Sequence, residues 1–355
     1  MKRLFIAAIA LTAVAAVADD PPAPPLGERA EKVIKEALPV CSEPVKASRT
    51  GLQHKLPVNL TGAVIRLESE QRPACAGQWV ALTSREGSIF LGVPWFLDKL
   101  TGTPEAKLKA FAWANLQQHF DAVVDKTPTR DGFYPVTMYQ LTERGKMPLQ
   151  GEIDPTASVV FIGHFHPINA DYLESRLKYF QPFLNDSPVT GAAKPTVTVV
   201  EFSDFECPSC QHTAGYMKPI LQKYPDRVRY IRYDLPLVTM HPWAFAAAVA
   251  GRAIWRQKPE AFWQYKEQVY ANQEKLMALT FDDFARGFAQ DHDLDMKKYD
   301  ADVNSAELQQ SILAGAGTAF SNDVRATPTY MVNGRMIDPG PDGKALETYI
   351  AGLLK

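Results

Sequence analysis

The stretch TVTVVEFSDFECPSC, residues 196–210, constrains the fold more than any other part of the chain. Its opening TVTVVEF is β-branched and nearly continuous in apolarity, the pattern of a strand buried in the middle of a sheet. Its close, Cys207-Pro208-Ser209-Cys210, opens a helical pattern that runs to about Tyr224, with Pro219 placed to kink it. Pro208 suits the first helical turn, where its missing N–H costs nothing. The cysteine pair therefore sits where a central strand gives way to a helix. A thiolate there is stabilised by free backbone N–H groups and the positive end of the helix dipole. Such sites lower a cysteine pKa from about 8.5 into the range ~3.5–7.5. Cys207, at the cap, is expected to be the exposed nucleophile, and Cys210, one turn in, the buried partner that resolves a mixed disulfide.

Compartment decides what two cysteines can do. Lys2 and Arg3 precede the apolar run LFIAAIALTAVAAVA, which ends in Ala16-Val17-Ala18 before Asp19-Asp20. A basic start, a short apolar run and a small-x-small end describe a secretory signal peptide over residues 1–18. The run is shorter than the about 20 apolar residues of a span, so no stable membrane span is expected after cleavage. An uncleaved N-terminal anchor is the alternative. Export, to the periplasm or beyond, places the cysteines where disulfides persist. With 355 residues and 46% hydrophobic content the chain is long enough for two cores. Its 38 Lys+Arg against 40 Asp+Glu leave no nucleic-acid footprint.

Residues 19–28 read as an extended Pro-rich tether, and residues 29–184 as one α+β domain. GAVIRL, WVALTS and SIFLGV alternate as short strands do. Thr103-Pro104-Glu105 opens a helix with Leu108, Phe111, Ala112 and Leu116 on one face. A hairpin over YPVTMYQLTERGKMPLQGEI, a strand at SVVFIGHF and a helix at DYLESRLKYFQPFL follow. Residues 185–195, rich in Pro, Gly, Asp, Asn and Ser, read as a linker. Residues 196–355 read β-α-β, a helical insert over about 241–325, then β-β-α. One insert helix opens at Thr280-Phe281-Asp282-Asp283 in the manner of a capping box. TPTYMVNGRMI is a strand–Asn-Gly–strand hairpin.

Other readings of the pair stay open on the residues alone. A structural disulfide over so short a loop removes almost no chain entropy. A zinc site needs about four ligands, and only His212 is near. Two inert thiols are unusual in an exported protein. The run VVEFSDFECPSC, the long helical insert and the late ATPTYMVNG together resemble the DsbA-like branch of the thioredoxin superfamily, over about residues 193–354. That resemblance implies an α/β, thioredoxin-like fold with a helical insertion, and thiol–disulfide exchange with cysteine-bearing client proteins and a redox partner protein. It implies no cofactor beyond the dithiol. It also implies a cis peptide at Thr327-Pro328 facing the sulfurs, with Thr327 offering backbone groups to an extended client segment. Glu201 matches the position of the family's buried acid, which implies a proton acceptor for Cys210; pairing with Arg229, Arg232 or Lys218 is the alternative. Pro208-Ser209 departs from the Pro-His of the strongly oxidising members, and Thr327 is closer to the isomerases. The direction of exchange is therefore open.

Cys41 and Cys75 are expected to bridge each other, with a second redox pair as the alternative. His164 and His166 read as lying on one face of a strand, where a metal could use them, but no third ligand is evident and no metal is assigned. Trp243, Phe245, Trp255, Phe262, Trp263 and Tyr265 read as the core of the helical insert. The rival from another class is a periplasmic binding module, a chaperone or metal carrier that uses the cysteines as ligands. The first domain carries no motif that assigns it a role.

Overall fold

The computed structural model describes residues 21–57, 59–70 and 75–355. The signal-peptide reading of residues 1–18 lies outside the described residues. Contacts group the chain into two units. The first takes residues up to Leu141, then Lys146–Tyr179 and Gly317–Ala326; the second takes Thr142–Gly145, Phe180–Ala316 and Thr327–Lys355.

In the first unit, the segment read as a tether is fastened down: Gly51 N–H donates to the Pro21 carbonyl at 2.7 Å. Helix α1 (Glu28–Ala37) buries Ala30, Val33, Ile34 and Ala37, which recur at helical spacing. They pack with Leu26, Ala63, Ile65, Ala81 and Tyr172. Strands β1 (Lys46–Gly51), β2 (Leu60–Glu68), β3 (Gly77–Ser84) and β4 (Ser88–Gly92) form an antiparallel sheet. After β5 (Pro94–Phe96) comes α2 (Pro104–Leu116), capped by Thr103 Oγ1, which accepts from Ala106 N at 3.3 Å. Then β6 (Phe120–Val124), β7 (Tyr134–Thr142), β8 (Gly145–Ile153) and β9 (Val159–Ile162) build a second sheet in the order β5-β9-β8-β7-β6. The short β10 (His166–Pro167) returns to the first sheet beside β4, and α3 (Tyr172–Leu184) leads out. Hydrogen bonds fasten the segment Gly317–Ala326 into this unit. Trp79 Nε1 donates to Asp323 at 2.5 Å, Gln150 N to Ser321 Oγ at 2.8 Å, and Arg325 Nη1 to the Gln78 carbonyl at 3.3 Å.

Cys41 and Cys75 are joined by a disulfide with Cα atoms 5.9 Å apart, across 34 positions of sequence. A loop of that size constrains the unfolded chain by about 3–4 kcal/mol in the chain-entropy picture. Substituting both cysteines by alanine should lower the urea midpoint of unfolding and steepen the slope, because the unfolded chain is then less compact. An unchanged midpoint would show that the bridge contributes nothing.

In the second unit, β11 (Val189–Gly191) lies inside the stretch read as a linker. It is a short edge strand, paired antiparallel to Ile231, Tyr230 and Arg229, so its neighbours rather than its own composition make it a strand. Strand β12 (Val197–Ser203) buries Val197, Val199, Val200 and Phe202 completely. Burying each such side chain contributes roughly 1.5–3 kcal/mol, and burial on both faces explains the unbroken apolar run. Two short helices follow, α4 (Pro208–Thr213) and α5 (Met217–Lys223). The single kinked helix expected here is thus two, parted at Ala214–Tyr216. The physical reason is Pro219, whose ring and missing N–H disrupt the turn four residues upstream rather than its own position.

Strand β13 (Val228–Asp234) runs parallel to β12. The insert comprises α6 (Ala244–Gln257), α7 (Pro259–Asn272), a 3₁₀ turn at Gln273–Lys275, α8 (Phe281–Asp291), α9 (Met296–Val303) and α10 (Ala306–Ser321). The expected cap at Thr280 is not formed: its hydroxyl donates to the Met277 carbonyl instead. Strand β14 (Thr329–Val332) pairs antiparallel to β12 and to β15 (Arg335–Ile337), and α11 (Lys344–Leu353) ends the chain. The sheet order is β11-β13-β12-β14-β15. Phe205, Trp243, Phe262, Tyr265, Phe281 and Phe288 form a core that joins the insert to the CPSC turn. Gly251 lets α6 approach it, since a Cβ there would meet the Phe262 and Tyr265 rings at 3.2 Å.

Candidate active site

Cys207 is the N-cap residue of α4, with φ −75° and ψ 121°. Its carbonyl accepts from Cys210 N at 3.0 Å and Gln211 N at 3.1 Å, which closes the CPSC turn. Cys207 is not the exposed residue expected: it is 6% exposed, and Cys210 is fully buried. Both are free thiols. The covering comes from Thr327, whose carbonyl accepts from the Cys207 thiol at 3.4 Å, and from the insert core around Phe205 and Trp243. Pro208 stands at the first helical position and Ser209 follows it in the turn. Thr327–Pro328 is a cis peptide bond directly ahead of β14. The Thr327 hydroxyl is buried and has no partner among the described residues.

The two sulfurs are driven apart electrostatically. A hydrogen bond from the Cys210 thiol to the Cys207 sulfur is the largest influence on Cys207; it outweighs burial and, with Thr327, brings the Cys207 pKa down to about 6. Burial pushes the Cys210 thiol up, and giving its proton to Cys207 pushes it further. A helix as short as α4 supplies little macrodipole, so local hydrogen bonds do what the sequence pattern ascribes to the helix end.

Asp204 ties both cysteines to the loop behind them. Its N–H donates to Cys210 Sγ at 3.4 Å and its carbonyl accepts from Cys207 N at 3.3 Å. Its fully buried carboxylate accepts from Glu206 N at 2.7 Å, Leu237 N at 2.8 Å and His241 Nδ1 at 2.8 Å. The Asp204 charge raises both thiol pKa values. The Glu206 Oε2 accepts from Trp243 N at 2.7 Å and Ala244 N at 2.9 Å, closing the start of α6. From the insert, Gln273 Nε2 donates to the Cys207 carbonyl at 3.1 Å and the Phe205 carbonyl at 2.8 Å.

Glu201 is 1% exposed on β12. Its Oε2 accepts from the Tyr230 hydroxyl at 2.6 Å, and its Oε1 has no partner among the described residues. None of the three cations weighed for it bonds it: Arg232 pairs with Asp234 and lies 3.7 Å over the Phe205 ring. Instead Lys266 of α7 donates to the Tyr230 hydroxyl and the Ala214 carbonyl, both at 3.2 Å. Burial lowers the Lys266 pKa, while the charges of Glu201 and Cys210 act to raise it. Asp204, Tyr230, Lys266 and Gln273 carry no motif, and His241-Pro242 only resembles the family's entry into the helical insert, with no chemistry attached to it.

His164 and His166 do not share a strand face, because only His166 lies in a strand. His164 stacks on Tyr179 at 4.4 Å and His166 meets the edge of Tyr172 at 4.9 Å. Burial lowers their pKa values to about 4 and about 3. No group of three or more metal-ligating side chains is found among the described residues. A cavity of about 370 Å³ in the first unit, lined by His54, Trp95, His164 and Tyr172 among others, includes neither sulfur.

Comparison with known proteins bears on the C-terminal half of the chain. Residues 184–351 match the family model described as Thioredoxin. The Na(+)/H(+) antiporter NhaA 3 of Salinispora tropica is 35% identical over 147 residues, 41% of this chain but 22% of that protein. The first curated relatives are matched over only about a fifth to a quarter of their length, and no described helix here is long and apolar enough to cross a membrane. Disulfide bond formation protein D of Bacillus subtilis is 26% identical over 188 residues, 49% of this chain and 80% of that one. Among solved structures, oxidised BdbD from Bacillus subtilis aligns with a TM-score of 0.41 and 22% identity, over 48% of this chain and 94% of that one. The C-terminal half is a thioredoxin-like domain with a helical insertion, and the likeness to the DsbA-like branch holds over this half.

Proposed function

We propose that this chain is an exported thiol–disulfide oxidoreductase whose Cys207 attacks the disulfides of client proteins and whose Cys210 resolves the mixed disulfide. The observation that carries the reading is the split between the sulfurs: Cys207 caps α4 beside the Thr327 carbonyl with its pKa brought down to about 6, while Cys210 is fully buried and protonated. In the reducing direction the Cys207 thiolate forms a bond to one client sulfur as the client S–S bond breaks. The departing client thiolate takes up a proton. Cys210 then loses its proton and attacks Cys207 Sγ, releasing the second client thiolate. Two electrons pass to the client and a 207–210 disulfide remains; oxidation of a client dithiol is the same path reversed. No cofactor beyond the thiols takes part, and a redox partner protein returns the pair to its starting state.

Glu201 is the proton acceptor for Cys210 in this reading, because it is a buried carboxylate on the strand that leads into the pair and, unlike Asp204, has an oxygen to spare. Thr327 and Pro328 bound the place where an extended client segment lies. The Thr327 carbonyl, which now receives the Cys207 thiol, is released when that thiol ionises, and the Thr327 hydroxyl is then a donor for the thiolate. Export is supported by the basic-then-apolar start of the sequence and by the Cys41–Cys75 bridge.

Stabilising one thiolate stabilises the reduced pair and makes its disulfide the stronger oxidant. Reference thiols at about 7 in thioredoxin and about 3.5 in DsbA bracket Cys207. The potential should accordingly fall between about −270 and about −120 mV, the values of those proteins. Equilibration against glutathione buffers measures it. Alkylation of Cys207 should show a midpoint near pH 6; a midpoint at the ordinary thiol value of about 8.5 would remove the basis of the assignment. Stability follows with a definite sign. A depressed pKa stabilises the reduced protein fully above the unfolded thiol value, and that contribution is lost as pH falls through about 6. The melting temperature of the reduced form should therefore gain on the oxidised form as pH rises across that window.

A further inference from the structure

We propose that His241 is a positioning residue for Cys207: it holds the Asp204 carboxylate through Nδ1, fixes the backbone unit that bonds both cysteines, and offsets the negative charge set beside them. The proposal deepens the redox reading and rests on it. Asp204 bonds both cysteines and the loop that precedes α6, with its N–H on Cys210 Sγ, its carbonyl on Cys207 N and its carboxylate on Leu237 N and His241 Nδ1. A buried carboxylate in contact with that turn opposes formation of a second anion. A cation on the same carboxylate removes that opposition without touching sulfur.

His241 is the titratable group that bonds it. Leu237 N and Glu206 N, the other donors to the carboxylate, are backbone amides and carry no charge that can change. The charged groups acting on the ring are Asp204, Cys207 and Glu206. Burial pulls the imidazole pKa down, but the bond and charge of Asp204, with the charges of Cys207 and Glu206, outweigh it and leave the ring above its usual value. Influence between the ring and the Cys207 sulfur is reciprocal. The imidazolium favours the Cys207 thiolate, and the thiolate favours the imidazolium. The intervening Ser209 of the CPSC turn provides no such charge, so the compensation comes from a loop 34 residues further along the chain.

The test uses the full chain and ultraviolet thiolate absorbance as a function of pH. His241→Ala should move the Cys207 titration up by about one unit, roughly a fivefold loss of thiolate at pH 6. His241→Asn, which keeps a donor for Asp204 but no charge, should recover only part of that loss. With Asp204 replaced by Asn there is no charge to offset, so adding His241→Ala should have little further effect. Because the alanine variant could fail to fold, the wild-type ring is also followed by NMR. Its pKa should be higher in the reduced protein than in the oxidised one, a difference that a purely structural contact would not produce. Superimposable thiolate titrations for wild type and both His241 variants, or a ring pKa indifferent to the redox state, would overturn the proposal. If instead wild-type Cys207 itself titrates as an ordinary thiol, the redox reading fails, and that outcome is distinguishable from the others.

Discussion

A Cys207→Ala chain is expected to show no thiol–disulfide exchange above the uncatalysed background. Only a thiolate attacks a disulfide, and Cys210 cannot take over. It is fully buried, and burial keeps its thiol protonated. The complementary Cys210→Ala variant should complete the first step and then stall, so that a client stays covalently attached to Cys207. A reducing gel and a non-reducing gel of the two variants, incubated with a disulfide-bonded client, separate the roles. Exchange surviving in Cys207→Ala would place the nucleophile elsewhere.

The second large effect is expected at Glu201. Glutamine preserves an acceptor for the Tyr230 hydroxyl, which now donates to Oε2 at 2.6 Å, but cannot take a proton. General-base catalysis is typically worth 10²–10⁴-fold, so Glu201→Gln should slow resolution by about 10²-fold while leaving Cys207 alkylation near its wild-type rate. The mixed disulfide should accumulate in rapid-quench experiments and its decay should lose its pH dependence. Stability is not expected to suffer. A buried carboxylate with an unpartnered oxygen is costly, and the neutral amide is cheaper to bury. Unchanged resolution would reduce Glu201 to a structural acid bonded to Tyr230.

How much of this was legible beforehand depends on how far apart the interacting residues lie. β12 and the CPSC turn were readable because an apolar run and Pro208 act within a few positions of themselves. The helical insert was readable from periodicity, and the cis peptide only through family resemblance. The break between α4 and α5 was misplaced because a proline acts on the carbonyl four residues before it, so the disturbance appears at Ala214–Tyr216. β11 was missed because three residues in a Pro- and Gly-rich stretch have no pattern; their strand character is conferred by pairing with Ile231, Tyr230 and Arg229. The exposure of Cys207 was overestimated because its cover comes from Thr327, which is 120 positions away. His241, Lys266 and Gln273 reach the site from the insert or the loop before it, and no spacing rule connects them to two cysteines.

The border between the halves is not a place to cut. In chain order Gly317–Ala326 lies deep in the C-terminal half, yet its bonds go to Trp79, Gln78 and Gln150, and Thr327 follows it without a spacer. A fragment beginning after residue 184 would carry that segment stripped of its anchors, directly upstream of the residue that covers the reactive sulfur. Gene fusions and truncations that treat the redox half as a portable cassette should therefore be poorer enzymes than the uncut polypeptide, even where they fold.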